Sequence, residues 1–452
     1  MFSCGCGRSF KSEPALAQHR ADKQMAHIGS ACRALSAPKA TKTVKPAIKI
    51  PFTHEPRDSW MWKGTRTFDA FHVVSEATLE PCVAVVSSEA ACELICSYSW
   101  QDSKQASIKI PGFAPIWRRV PLPITLPEDK GTYFIDQNTA RVPQYPFEPV
   151  FRAAEVMNPA VDFADVDIVI NRNSLRKFLD FCAGTVKDSF RVNLSMISNT
   201  LFIERHEKNT RELIRGAQVN GWGHSFEKTF TKLPKGLGHS TQHHRVVRYA
   251  IGGLNCVVRF EVDACYQKDN EEQERIAGDN IYENLTLGVS KLSIGANSGR
   301  NSVAPEQIPR VENQFKLMPQ STAAEIKTSS KNGRPSSSLP QLWFGRTPWL
   351  IRGYHVRGTF NRINITNAGA KFVAWETEHQ VELRKMVSLL SQLRESVKKS
   401  GFKRCMATCE KRTRPRELKV FAAVHDKGAL PDDLVSKFWR GKSHEVAVTG
   451  EE

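Results

Sequence analysis

The stretch from His244 to Asp263 constrains this chain more than any other. Residues His244 to Val258 read as a β-hairpin with Gly252-Gly253 at its turn. Its second strand is expected to run on through Arg259-Phe-Glu-Val-Asp263. Side chains at i and i+2 of a strand share a face, so Glu261 and Asp263 are expected to project together. By the same rule Glu325-Ile-Lys327 presents an acid and a lysine side by side. On neighbouring strands the two pairs would converge on one pocket. Carboxylates placed that way hold Mg²⁺ or Mn²⁺, and a lysine beside them can orient or deprotonate a water against a phosphodiester. A solvated strand face, and a simple Glu325–Lys327 ion pair, are the plainer readings of the same residues.

The partner class follows from charge. A formal charge of +17 over 452 residues favours a polyanion, nucleic acid before membrane. The 40% apolar content is that of a globular protein. No apolar run approaches the length of a membrane span. Eleven irregularly spaced cysteines and no signal-peptide pattern lead to the expectation of a reducing, intracellular compartment, the nucleus ahead of the cytoplasm.

Read in order, residues 1–32 carry Cys4, Cys6, Phe10, Leu16, His19 and His27, the skeleton of a degenerate C2H2 zinc finger. Zn²⁺ is expected on Cys4, Cys6, His19 and His27, with Cys32 as the alternative fourth ligand; a disordered tail is the other reading. Residues 33–58 read as a basic flexible linker. Residues 59–445 form the expected α/β (α+β) domain, a mixed sheet flanked by helices, with a polar insertion over 266–320 and a tail at 446–452. Within it, Val83 to Val86 and Ala91 to Tyr98 read as buried or half-buried segments. Val166 to Ile170 reads as a strand, Ser174 to Phe181 as a helix, and Val192 to Ile203 as two strands turning near Asn199. Trp222-Gly-His-Ser-Phe-Glu227 reads as the entry to a helix presenting Glu227, and Val381 to Val397 as an amphipathic helix. The histidines His239, His243 and His244 read as surface-loop residues, with an RNA channel or a bound metal as the alternatives. Asp432-Asp433 lacks the spaced second aspartates of a diphosphate-binding DDxxD motif, which excludes an isoprenoid diphosphate synthase.

The ordered set Arg172, Glu227, Glu261, Asp263, Glu325, Lys327 and Gln341 resembles the DXO-type decapping exoribonucleases. Ile168-Val-Ile-Asn-Arg172 resembles that family's arginine segment, and Trp222-Gly-His-Ser-Phe-Glu227 its Trp-Gly-x-Lys-Phe-Glu segment. Glu261-Val-Asp263 and Glu325-Ile-Lys-Thr328 resemble its Glu-Val-Asp and Glu-Leu-Lys-Thr, and Gln341 follows in similar order. Ser225 stands where the family has Lys, removing a positive charge expected beside Glu227. The stretch between Asp263 and Glu325 is far longer than the family's.

The resemblance implies a nuclease core of the PD-(D/E)XK type. It places one or two divalent metals on Glu227, Glu261, Asp263 and Glu325, with Glu325, Lys327 and Asp263 catalytic. Arg172 would contact RNA phosphate and Gln341 would line the pocket. The implied activity is hydrolysis at RNA 5′ ends: removal of incomplete or non-standard caps, with 5′→3′ degradation. RNA and a protein of RNA processing are the partners implied. The alternative is a catalytically inactive relative that binds nucleic acid or protein.

Overall fold

The computed structural model describes residues 2–3, 9–10, 12–25, 58–215, 221–234, 237–267, 290–294, 318–330, 338–425 and 427–439. It divides into two units, Met1–His54 and Glu55–Glu452. The first holds a two-stranded ribbon (Phe2–Ser3 with Ser9–Phe10) and a helix, Glu13–Met25. Leu16 is buried, and the rings of Phe10 and His19 lie 4.8 Å apart. Three of the four expected zinc ligands, Cys4, Cys6 and His27, lie outside the described residues, as do most of the expected linker and the tail.

The second unit begins with the strands β1 (His72–Ser75), β2 (Glu93–Gln101) and β3 (Ser107–Ile110) and the helices α1 (Gln137–Arg141) and α2 (Glu148–Met157). Next come β4 (Ile168–Asn171), α3 (Arg172–Cys182), β5 (Phe190–Ile197), β6 (Thr200–His206) and α4 (Gly223–Phe230). The hairpin β7 (Ser240–Ile251) and β8 (Leu254–Glu261) follows, then β9 (Ala264–Cys265), β10 (Ser290–Ser293) and β11 (Ala323–Ser330). The chain ends with α5 (Leu339–Phe344), β12 (Trp349–Val356), β13 (Thr359–Asn367), α6 (Gln380–Ser400), β14 (Arg404–Cys409), β15 (Glu417–Ala422) and α7 (Asp432–Trp439).

Eleven strands form one mixed sheet in the order β10-β3-β2-β7-β8-β4-β6-β5-β14-β15-β1. A seven-stranded sheet has β9-β11-β12-β13 at its centre. In the large sheet β4 runs parallel to both its neighbours. Its sequence, Ile-Val-Ile-Asn, is buried throughout, as a strand covered on both faces requires. Ile168 and Ile170 pack with α3 and α6, while Val169 packs with α2 and α7 on the other face. The sheet is thus sandwiched between two helical layers. On α6 the apolar residues Leu383, Met386, Val387, Leu390, Leu393 and Val397 follow the helical period and are all buried. Each contributes on the order of 1.5–3 kcal/mol, and Gly401 at φ 69° closes the helix.

Two expectations are corrected, and two stretches gain an element. Val83 and Val85 are 92% and 71% exposed, because they lie in a loop whose only deeply buried valine is Val86. Part of the expected insertion is strand, since β10 pairs with β3 at the sheet edge. The chain after β15 also holds a helix. There α7 buries Leu434, Phe438 and Trp439 against Phe151, Phe163 and Phe202. Finally, His243 and His244 are buried on β7 rather than set in a surface loop.

Candidate active site

Glu261 and Asp263 do not share a strand. β8 ends at Glu261, Val262 donates its N–H to the His243 carbonyl, and the chain then crosses into the second sheet. There β9 pairs with β11, Ala264 opposite Ala324. The two acids therefore straddle the step between sheets. This is how they meet Glu325 and Lys327, one position further along β11.

Glu227 comes from α4. Phe226 and Phe230 are fully buried in a cluster with Ile326 and Phe360, which pins α4 against the second sheet. Gly353 on β12 permits this approach, since a Cβ there would overlap the Phe226 ring. The open N–H groups at the start of α4 are satisfied from a distance by Asp129. Its Oδ1 accepts from the Ser225 N–H at 2.8 Å and its Oδ2 from the His224 N–H at 3.1 Å.

Glu325 is the hub. It is 2% exposed, and its Oε1 accepts from Lys327 Nζ at 2.5 Å and from Gln341 Nε2. Its Oε2 has no hydrogen bond but faces Arg172 Nη1 at 3.2 Å. Gln341 Oε1 in turn accepts from Arg176 at 3.0 Å, and the Ile326 N–H donates to Asp263 Oδ2 at 2.8 Å. Arg172 opens α3 directly after β4 and lies over the Phe260 ring.

The charges explain the titration. Burial would raise the Glu325 carboxyl, but Lys327 and Arg172 together hold it below the usual range. Burial, with Asp263 and Glu325 nearby, pushes Glu261 up to about 8. Burial and Glu325 push Asp263 up to about 7. Glu227 is raised well above the usual range by burial, then by Asp263 and Glu261. Four acids at close quarters cannot all ionise without added positive charge. Lys327 and Arg172 keep Glu325 ionised, and the other three hold their protons to higher pH than usual.

This is the donor chemistry of a hard divalent cation, oxygen-rich and short of positive charge. Among the described residues, no three His, Cys, Asp or Glu side chains already stand in metal-ligand geometry. Glu325 is turned instead to its lysine and arginine.

Beside the acids lies a cavity of about 210 Å³, lined in part by Arg172, Arg176, Arg205, Arg259, His244 and Glu261. Arg172, Glu261 and Gln341 were expected here. The other residues were not. Arg176 sits four residues after Arg172 on one helix face, and Arg259 two residues before Glu261 on one strand face, so both were accessible to periodicity. His244 was not, because only the β7–β8 register sets it opposite Glu261. It stacks on Tyr98 with ring centroids 5.1 Å apart, and Asn138 Nδ2 donates to its Nε2 at 3.0 Å. Burial and the charge of Arg259 push it down to about 3, so the ring is neutral.

Residues 69–439 match the sequence model of a family described as a domain of unknown function, DUF8563. The chain belongs to this family. None of the curated proteins matches it. Among solved structures, the DUF8563 chain is similar to Scheffersomyces stipitis Rai1 in complex with (3′-NADP)⁺ and calcium ion. That alignment has 10% identity and a TM-score of 0.53, and covers 82% of this chain and 99% of that one. It is also similar to Candida albicans Rai1 in complex with pU5-Mn²⁺, with 12% identity, a TM-score of 0.47 and coverage of 80% and 98%. The first of these likenesses shows the fold, mixed α/β and nearly complete over the Rai1 chain. At the level of fold, the resemblance to decapping exoribonucleases is borne out.

Proposed function

We propose that this DUF8563 protein is a divalent-metal-dependent hydrolase acting on the 5′ ends of RNA, removing non-standard caps or 5′ nucleotides. The observation that carries the reading is the convergence of Glu325, Lys327, Asp263 and Glu227 beside a cavity lined by four arginines. A fold alone does not fix chemistry; this arrangement narrows it. Glu227, Glu261, Asp263 and Glu325 would hold Mg²⁺ or Mn²⁺. When bound, the ion lowers the pKa of a water and offsets charge on a phosphoryl oxygen. Lys327, 38% exposed and tied to Glu325, is placed to orient that water. Arg172 and its neighbours would take the substrate phosphates in fork geometry. Gln341 fixes the Glu325 carboxylate and leaves its second oxygen toward Arg172. A neutral His244 cannot repel a cation at Glu261 and can still donate or accept a hydrogen bond.

The measurement is Mn²⁺-dependent release of cap fragments or 5′ mononucleotides by the full chain. Glu325→Ala and Asp263→Asn are each expected to lower it by roughly a thousand-fold or more, the scale lost with an electrostatic centre of catalysis. Variants that cleave like the wild type would end this reading. The second reading, a binding module without turnover, draws on the pairing of Glu325 with Lys327 and Arg172. It predicts RNA binding without any metal-dependent product.

A further inference from the structure

A second cavity, of about 430 Å³, opens on the large sheet where β5, β14 and the chain after β15 come together. Lys63, Arg191, Arg404, His425, Lys427 and Gln144 line it, and among the described residues no carboxylate does. Arg191 is 6% exposed, and its guanidinium is held in place by neutral acceptors: the Asn193 side chain at 2.9 and 3.1 Å and the carbonyls of Met61 and Lys63. Arg404 pairs with Glu204, which is itself fully buried. A buried arginine held rigidly by neutral acceptors, with exposed lysines around it, is a built anion site.

The strand register connects this cavity to the first. His244 lies opposite Glu261, Arg259 opposite Asn171, Asn193 opposite both Glu204 and Met406, and Arg191 opposite His206. Opposed residues share a sheet face, so these side chains, all polar but for Met406, form one row across the strand ends. From β8 to β14 there are four strand spacings, or roughly 19 Å. The segment from α1 to Gln144 borders both cavities, Gln137 and Asn138 at one and Gln144 at the other. Next to Arg191, His206 stacks on Trp60 with centroids 5.8 Å apart and planes at 16°. Both rings are half-buried. Cations that track a backbone, beside stacked rings that a base can join, are the marks of a single-strand binder.

We propose that the second cavity binds backbone phosphates of the RNA strand whose 5′ end occupies the first, several nucleotides downstream. The inference rests on the RNA reading above and adds a footprint to it. It favours long strands over free nucleotides, because a dinucleotide held at the acids cannot reach Lys63.

The test compares binding of 5′-phosphorylated di- and deca-uridylate, by fluorescence anisotropy, to the full-length wild type and to a Lys63→Glu/Lys427→Glu variant. Both lysines are exposed, so the charge reversal spares the core, and circular dichroism checks this. The decamer is expected to lose about ten-fold or more in affinity and its salt slope to fall by about 1.4, two phosphate contacts' worth. The dimer should change by less than about two-fold on the same scale. Equal affinity of variant and wild type for the decamer overturns the second cavity alone. If the wild type binds neither oligomer, the RNA reading itself falls and takes the inference with it. If the variant loses binding of inorganic phosphate but keeps the decamer, the cavity is a small-anion site and the RNA footprint is refuted.

Discussion

Metal affinity in this site is expected to depend steeply on pH, and the size of the effect follows from two carboxyls. Burial and the neighbouring carboxylates push Asp263 up to about 7 and Glu261 up to about 8, against ordinary values of 3.8 and 4.5. A cation bound to both must displace their protons. At pH 6 roughly one Asp263 in ten and one Glu261 in a hundred is ionised; at pH 8 nearly all and about half are. The ionised pair therefore becomes several hundred-fold more abundant, and the apparent Kd for Mn²⁺ should tighten by about a hundred-fold or more between those pH values. Stability moves the opposite way without metal. Both folded pKa values lie above the unfolded ones, so the folded state holds more protons. The contribution of these groups to stability is full below about pH 4 and is lost as pH rises towards 8. Added Mn²⁺ should accordingly raise Tm far more at pH 8 than at pH 6. Isothermal titration in two buffers of different ionisation enthalpy, at pH 6, 7 and 8, measures affinity and proton release together. An affinity that changes less than about three-fold over that range, with no buffer-dependent heat, would refute the coupling of these acids to a metal.

Two further substitutions probe the frame around the site. Gly353→Ala places a methyl group in the Phe226 ring, with the Phe360 ring at 3.0 Å; it should destabilise by about 1–3 kcal/mol. Because α4 must then shift, activity should fall even at temperatures where the variant remains folded, which a thermal melt run beside the cleavage assay separates. Trp439→Ala removes an aromatic that contacts Phe151, Phe163 and Phe202 and donates to Thr200 Oγ1 at 2.9 Å. It should cost about 3–5 kcal/mol in denaturant unfolding, with the metal affinity of the surviving folded protein unchanged.

The parts legible in the sequence were those governed by a local period. The heptad-like spacing on α6, the Gly252-Gly253 turn, the continuous apolar run of β4 and the opening of α4 at Gly223 all express rules that act within a dozen residues. The residues of the candidate site stand out for the same reason, each sitting in a short motif of its own. What stayed hidden depends on register or on distance along the chain. His244 reaches the site only through cross-strand pairing. Asp129 caps α4 from 95 and 96 residues away, and α7 is a short helix whose place is set by a distant aromatic cluster. The end of β8 at Glu261 was hidden too, since Glu-Val-Asp reads equally well as unbroken strand. Only the competing pairing of Ala264 with β11 breaks it.

That break bears on Ser225, the position where the resembled family has lysine. A lysine there was expected to place its charge beside Glu227. Ser225 and Glu227 are two apart on α4, and residues so spaced on a helix do not face each other. The backbone of Ser225 is moreover committed to Asp129, on the side where α4 begins. The charge balance around Glu227 is instead set by Asp263, Glu261, Lys327 and Glu325, delivered by the sheet crossover and β11. Loss of a lysine at 225 therefore leaves the electrostatics of the acids in place. The feature that governs whether a cation can enter is the competition for Glu325 among Lys327, Arg172 and the incoming ion. The raised proton affinity of Asp263, Glu261 and Glu227 limits the negative charge that an incoming ion meets there.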